Sequence, residues 1–189
     1  MFLFFLSSGM FLGWSLGAND AANVFGTAVG TRMLRFRTAT VLCCIFVILG
    51  SVFSGHGASV TLGKLGSVNA VAGAFVVAFA AASSVYLMLK ARLPVSTSQA
   101  IVGAIVGWNL FSGTSTDSTT LVKIVMTWVA CPILSGLIAI LSYKVASFFV
   151  LKGKVHMFRL DEMTRIGLVL VGAFGSFALG ANNIANVVG

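Results

Sequence analysis

Apolar residues run along this chain in long blocks separated by short polar connections. The first block extends from about Phe2 to Gly30, is interrupted only by the cluster Asn19, Asp20 and Asn23, and is followed by Arg32, Arg35 and Arg37. A second block covers about Thr38 to Val52, and a Gly- and Ser-containing connection with His56 and Lys64 separates it from a third, about Val68 to Leu89. After Lys90 and Arg92, Pro94 to Gln99 heads an apolar stretch reaching about Phe111, and the loop Ser112 to Thr120 leads to a long block from about Leu121 to Val150. A basic connection holding Lys152, Lys154, His156, Arg159 and Arg165 precedes the last block, from about Ile166 onward. Several blocks reach the roughly 20 residues a helix needs to cross a bilayer. The pattern predicts an all-α integral membrane protein.

The polar interruption of the first block occurs twice. Starting at Leu16 and at Leu179, 8 of 11 positions are identical, so Gly17-Ala18-Asn19-Asp20-Ala21-Ala22-Asn23 returns as Gly180-Ala181-Asn182-Asn183-Ile184-Ala185-Asn186 at a constant offset of 163. A repeat at fixed offset is a statement about architecture. It divides the chain into a first repeat, 1–165, and the start of a second, 166–189, which is expected to be truncated because the copy ends within a span. The offset also carries the small-residue ladder Gly9, Gly13, Gly17 onto Gly172, Ser176, Gly180, a spacing that lets neighbouring helices approach closely. Gly103 and Gly107 have the same spacing and are read as packing positions.

Charge sets the expected orientation. If the segment after Pro94 makes a net crossing, ten of the twelve Lys and Arg residues fall on one side and only Lys64 and Lys123 on the other. The basic side is cytoplasmic, which puts the N-terminus outside. Five crossings then precede the second copy, so the two copies enter the membrane from opposite faces, as in the inverted repeats of many secondary transporters. Such proteins bind substrate near the midplane between broken helices and alternate access by rocking one half against the other.

Composition supports the membrane reading: 58% of residues are hydrophobic and only 8% charged. The net charge of +8 lies in the connections, so it orients the chain and does not point to nucleic acid. Cys43, Cys44 and Cys131 have no metal or disulfide spacing and are read as small apolar fillers. His56 and His156 lack partners at catalytic spacing, and no nucleotide loop, zinc-protease motif or nucleophile elbow is present. An enzyme is not expected, and no cofactor other than a coupling ion.

Two groups can carry chemistry. Asp20 is the one acidic residue within an apolar span, and a carboxylate there costs roughly 2.5–3.5 kcal/mol unless paired, hydrated or bound to a cation. With Asn19 and Asn23 beside it, it offers hard oxygen ligands suited to Na+ or a proton. The second group is Pro94 to Gln99, where Ser96 as N-cap and Gln99 three residues later form a capping box that starts a helix. The same helix end, with hydroxyls at Ser96, Thr97 and Ser98, can hold an anion through free N–H groups without a permanent charge. A scaffold role, with Asp20 bonding two helices, is the competing structural reading.

Both motifs, in this order, resemble the signatures of the inorganic phosphate transporter (PiT) family, cation-coupled permeases that include sulfate-transporting members. The resemblance covers the chain as the first half of a family member plus the first helix of its second half. It implies cation-driven uptake of inorganic phosphate across the cell membrane, with Na+ or H+ as coupling ion, a sulfate or related oxyanion permease as alternative, and a homodimer as possible assembly. It also implies a cation site at Asp20, Asn19, Asn23, Asn182 and Asn183, with Na+ at Asp20 and Asn23, and an anion site at Ser96, Thr97, Ser98, Asn23 and Asn186. Asn183 stands where the family usually has Asp, which removes one carboxylate, and Gln99 stands where many members have His.

Overall fold

The computed structural model describes residues 2–65, 71–152 and 156–188. They form seven helices: α1 (Phe2–Gly30), α2 (Phe36–Ser54), α3 (His56–Leu65), α4 (Val71–Lys90), α5 (Thr97–Ser112), α6 (Ser118–Lys152) and α7 (Met157–Val188). Among the described residues there is no strand. Four helices, α2, α4, α6 and α7, are long and apolar enough to cross a membrane.

Two stretches expected to be connections are helical. Leu62 and Leu65 give the segment after His56 an apolar face, and burial of Leu65 against the core of α1, α4 and α5 winds it into α3. Arg159, Asp161, Glu162 and Arg165 belong to α7, which begins at Met157 and not near Ile166. They are mostly good helix formers and extend the span by about two and a half turns without breaking it. The expected start of the third block at Val68 lies outside the described residues.

Helix directions follow from side-chain contacts. Phe4 stacks on Phe75 at 4.9 Å, Phe11 meets Phe79 at 6.1 Å, and Trp14 meets Tyr86 at 6.0 Å, so α1 and α4 run parallel. The aromatic ladder ends where Asn19 donates to the carbonyl of Val95, beyond the end of α4. From there α5 turns back until the loop after it reaches α3, where the Asp117 N–H bonds the Leu65 carbonyl at 3.3 Å. The α4–α5 turn therefore lies beside Asp20, about 15 Å of helical rise before the end of α1 at Gly30.

α7 fills the space between α1 and α2. It runs parallel to α2, with Ser51 donating to the Gly180 carbonyl at 3.1 Å and Gly55 against Ile184. It runs antiparallel to α1, with Gly172 under the Phe25 ring, Gly175 beside Val24 and Gly9 beside Val187. These contacts are reciprocal under the 163-residue offset. Gly9 corresponds to Gly172, and Val187, which Gly9 meets, corresponds to Val24, next to the Phe25 that Gly172 meets.

The expected small-residue seams are realised in part. A methyl group at Gly50 would overlap the Phe177 carbonyl, and one at Gly180 the Val47 carbonyl, so backbone contact between α2 and α7 demands glycine at both positions. Gly13, Gly17, Gly103 and Gly107 have no such neighbour within 4 Å among the described residues. Gly13 and Gly17 instead border a cavity of about 410 Å³ between α1, α2 and α7.

Helix ends follow local chemistry. Ser96 caps α5 by accepting the Gln99 N–H at 3.4 Å, as the capping box predicts, and Gly113 closes that helix at φ 72°, where a side chain would be strained. Asp117 caps α6: its carbonyl accepts the Leu121 N–H, and its carboxylate accepts the Thr119 N–H and the Thr120 hydroxyl. The Thr120 hydroxyl, followed by the Thr119 amide, holds the Asp117 carboxyl below its ordinary 3.8.

Two outcomes are expected. Gly50→Val or Gly180→Val lowers the unfolding midpoint of the detergent-solubilised protein by overpacking equivalent to about 1–3 kcal/mol, while Gly13→Ala and Gly17→Ala leave it within error. Because the Asp117 value is depressed on folding, its cap is at full strength above the ordinary carboxylate value and is lost as pH falls through the lower, folded value. Protection of the Thr119 and Thr120 amides, measured against their intrinsic exchange rates, should therefore fall only in that acidic window, and Asp117→Asn should flatten the profile.

Candidate functional site

The Asp20 carboxylate joins three elements. Oδ1 accepts from the Asn19 amide of its own helix at 2.8 Å. Oδ2 accepts from the Asn183 amide of α7 at 3.0 Å and from the Thr97 hydroxyl, in the first turn of α5, at 3.4 Å. The Asn19 amide also donates to the Val95 carbonyl at 3.1 Å, which ties the α4–α5 turn to α1. Asp20 and Asn183 are equivalent positions of the two motif copies, so the duplicated motif meets itself at its own charged residue.

All three groups that bond this carboxylate are neutral, and among the described residues no Lys or Arg pairs with it. A carboxylate has about four acceptor positions, so capacity for another donor or a cation remains. Asp20 is half-buried beside the small residues Ala21 and Gly17. α1 and α7 remain continuous through their motifs, unlike the broken helices the sequence suggested, so their carbonyls stay engaged in helical bonds. The irregular backbone comes from the turn between α4 and α5, where the Val95 carbonyl faces the cluster.

The proposed anion residues divide across that turn. Thr97 is buried and faces Asp20, while Ser96 and Ser98 line a separate cavity of about 730 Å³ between α3, α5, α6 and α7. Asn182 of α7 lines the same cavity, and Asn183, one residue on, faces the carboxylate. Asn23 is exposed and stands outside the hydrogen-bonded cluster, and the side chain of Asn186 lies outside the described residues. Cys43 is buried as expected of a filler, Cys44 is exposed, and Cys131 borders the larger cavity.

That cavity also contains Lys123 and Thr127 of α6 and Thr61 of α3, which sequence reasoning did not assign to the site. Lys123 lies in the second turn of its helix and counts in the sequence as a flanking charge. Its placement could have been suspected, because a cation near a helix N-terminus opposes the helix dipole.

A bundle of long apolar helices around a carboxylate held by neutral donors, beside a cavity that hydroxyls border, is the build of an integral membrane protein. The chain belongs to the phosphate transporter family, whose sequence pattern it matches over residues 16–189. It is 33% identical over 153 residues to inorganic phosphate transporter 2-1, chloroplastic, of Arabidopsis thaliana, covering 75% of this chain and 26% of that protein. Sodium-dependent phosphate transporter 1 of Mus musculus is 32% identical over 156 residues, 72% of this chain and 22% of the mouse protein. A solved sodium-dependent phosphate transporter superposes with a TM-score of 0.69 at 25% identity, over 94% of this chain and 54% of that structure. The chain thus spans about a quarter of the length of these plant and mouse relatives and about half of the solved structure.

The hydrogen bonds at Asp20 make a stability test. Asn183→Ala removes a donor from a charged acceptor and should cost about 1.5 kcal/mol, read as a fall in the unfolding midpoint. Asn183→Asp places a second carboxylate against the first and should fall further in Na+-free buffer, with Na+ restoring most of the loss. An Asn183→Asp midpoint insensitive to Na+ would count against a cation at this position.

Proposed function

We propose that this protein is part of a cation-coupled transporter of inorganic phosphate. The observation that carries the reading is the Asp20 carboxylate, held within the bundle by Asn19, Thr97 and Asn183 with no positively charged partner among the described residues. A cation bound there completes the charge. Sodium is the favoured coupling ion because the mouse relative and the solved structure are named as sodium-dependent. Phosphate is held on the other side of the same turn, by Ser96, Ser98 and the first N–H groups of α5.

Coupling follows from the shared turn. Thr97 reports cation occupancy through its contact with Asp20, and its neighbours Ser96 and Ser98 carry the anion, so filling one site positions the other. The reciprocal contacts of α1 and α7 support an inverted-repeat arrangement in which the two copies face each other across a pseudo-two-fold axis near Asp20 and Asn183. Rocking of one repeat against the other then exposes the centre to each side in turn. The distribution of Lys and Arg supports an N-terminus on the outside.

Uptake of radiolabelled phosphate into proteoliposomes holding the full-length transporter of which this chain is part tests this. The expected result is uptake driven by an inward Na+ gradient and absent with choline, and its loss in Asp20→Ala with insertion and elution profile unchanged. Equal uptake in Na+ and choline, or an Asp20→Ala protein with normal Na+ dependence, would overturn the assignment. Sulfate in excess serves as competitor, and phosphate uptake abolished by sulfate, together with sulfate uptake that phosphate fails to block, would reassign the substrate.

A further inference from the structure

We propose that Lys123 supplies a fixed positive charge to the anion cavity, so that the substrate is bound by a lysine as well as by hydroxyls and a helix end. This rests on the transport reading above and names a residue beyond its two motifs.

The first support is placement. Lys123 and Thr127, one turn apart on α6, line the cavity together with Ser96 and Ser98 of α5 and Asn182 of α7. Three helices thus direct polar groups into one space of about 730 Å³, ample for a tetrahedral oxyanion and its remaining water.

The second is charge. No Asp or Glu is among the residues lining the cavity, and Lys123 has no ion-pair partner among the described residues. The nearby carboxylate of Asp20 is held on the other face of the turn by Thr97. The 96–98 segment therefore separates a negative centre from a positive cavity, and its alternating side chains face the two in turn.

The third is the helix itself. Lys123 stands in the second turn of α6, where the helix dipole disfavours a cation, and Asp117 already caps that end. Neither contributes a reason for a positive charge at this position, and α6 is an apolar span in which an ionisable group facing a cavity marks a binding function. An ammonium group has three donors and acts as a point charge toward an oxyanion, which the neutral hydroxyls cannot do.

Na+-driven phosphate uptake by the reconstituted full-length transporter of which this chain is part tests the proposal. Lys123→Gln should raise the KM for phosphate about tenfold, with kcat within about twofold, since a charged contact to the bound anion is lost. Lys123→Arg should keep a near-normal KM, and Lys123→Glu should abolish measurable uptake. The Na+ concentration for half-maximal rate should stay unchanged in Lys123→Gln, because the Asp20 centre lies across the turn. Lys123→Met, which keeps the apolar stem, replaces the Gln variant if that one fails to elute as a single species. An unchanged KM in the neutral variants, or an Arg variant as impaired as Gln, would overturn the assignment of charge to Lys123 while leaving phosphate transport intact. A wild-type full-length transporter that takes up no phosphate would overturn the transport reading, and this proposal with it.

Discussion

A carboxylate inside an apolar helix must be held by something, and at Asp20 that requirement organises the bundle. Insertion of such a group costs roughly 2.5–3.5 kcal/mol. A hydrogen bond to a charged acceptor contributes about 1.5–3 kcal/mol, so the contacts from Asn19, Asn183 and Thr97, one of them long at 3.4 Å, are of the size needed to offset that cost. None of them supplies positive charge. The donors come from α1, α7 and α5, and the same carboxylate thereby fixes where the α4–α5 turn sits and how deep it reaches.

Close helix packing makes these contacts possible. Asn183 reaches Asp20 because α7 lies against α2 at backbone distance, which only Gly50 and Gly180 allow, and because Gly172 and Gly175 accept Phe25 and Val24 of α1. The aromatic ladder from Phe4 and Phe75 to Trp14 and Tyr86 aligns α4 along α1, so that its end arrives beside Asn19. Packing and site are one construction: the small residues set the distances and the polar residues use them.

The helices and the duplicated motif were legible in the sequence because bilayer-length apolar blocks and an exact 163-residue offset are strong signals. So were Asp20 and the Ser96 cap, since each breaks a local pattern in a way that has a physical cause. What the sequence concealed was long-range. It could not say that Thr97 would face the carboxylate while Ser96 and Ser98 faced away, because those directions depend on where the α4–α5 turn docks. It counted Lys123 as a flanking charge because the cavity beside it is assembled from helices distant in sequence. It read α3 as a connection because of its Gly and Ser content beside His56 and Lys64, and burial of Leu65 with Leu62 against the core favours the helix.

The central claim is that one carboxylate, placed where the two motif copies meet, serves the cation site. Exchanging the pair tests it most directly: Asp20→Asn combined with Asn183→Asp moves the charge to the equivalent position of the other copy. Initial rates of phosphate uptake by the full-length transporter of which this chain is part are measured against Na+ concentration for the wild type, the Asp20→Asn variant and the exchanged protein. The single variant should lose Na+-dependent uptake and the exchanged protein should recover a substantial part of it, at a shifted Na+ requirement. An exchanged protein as inactive as the single variant, though correctly inserted and stable, would contradict a shared centre at the meeting of the two copies.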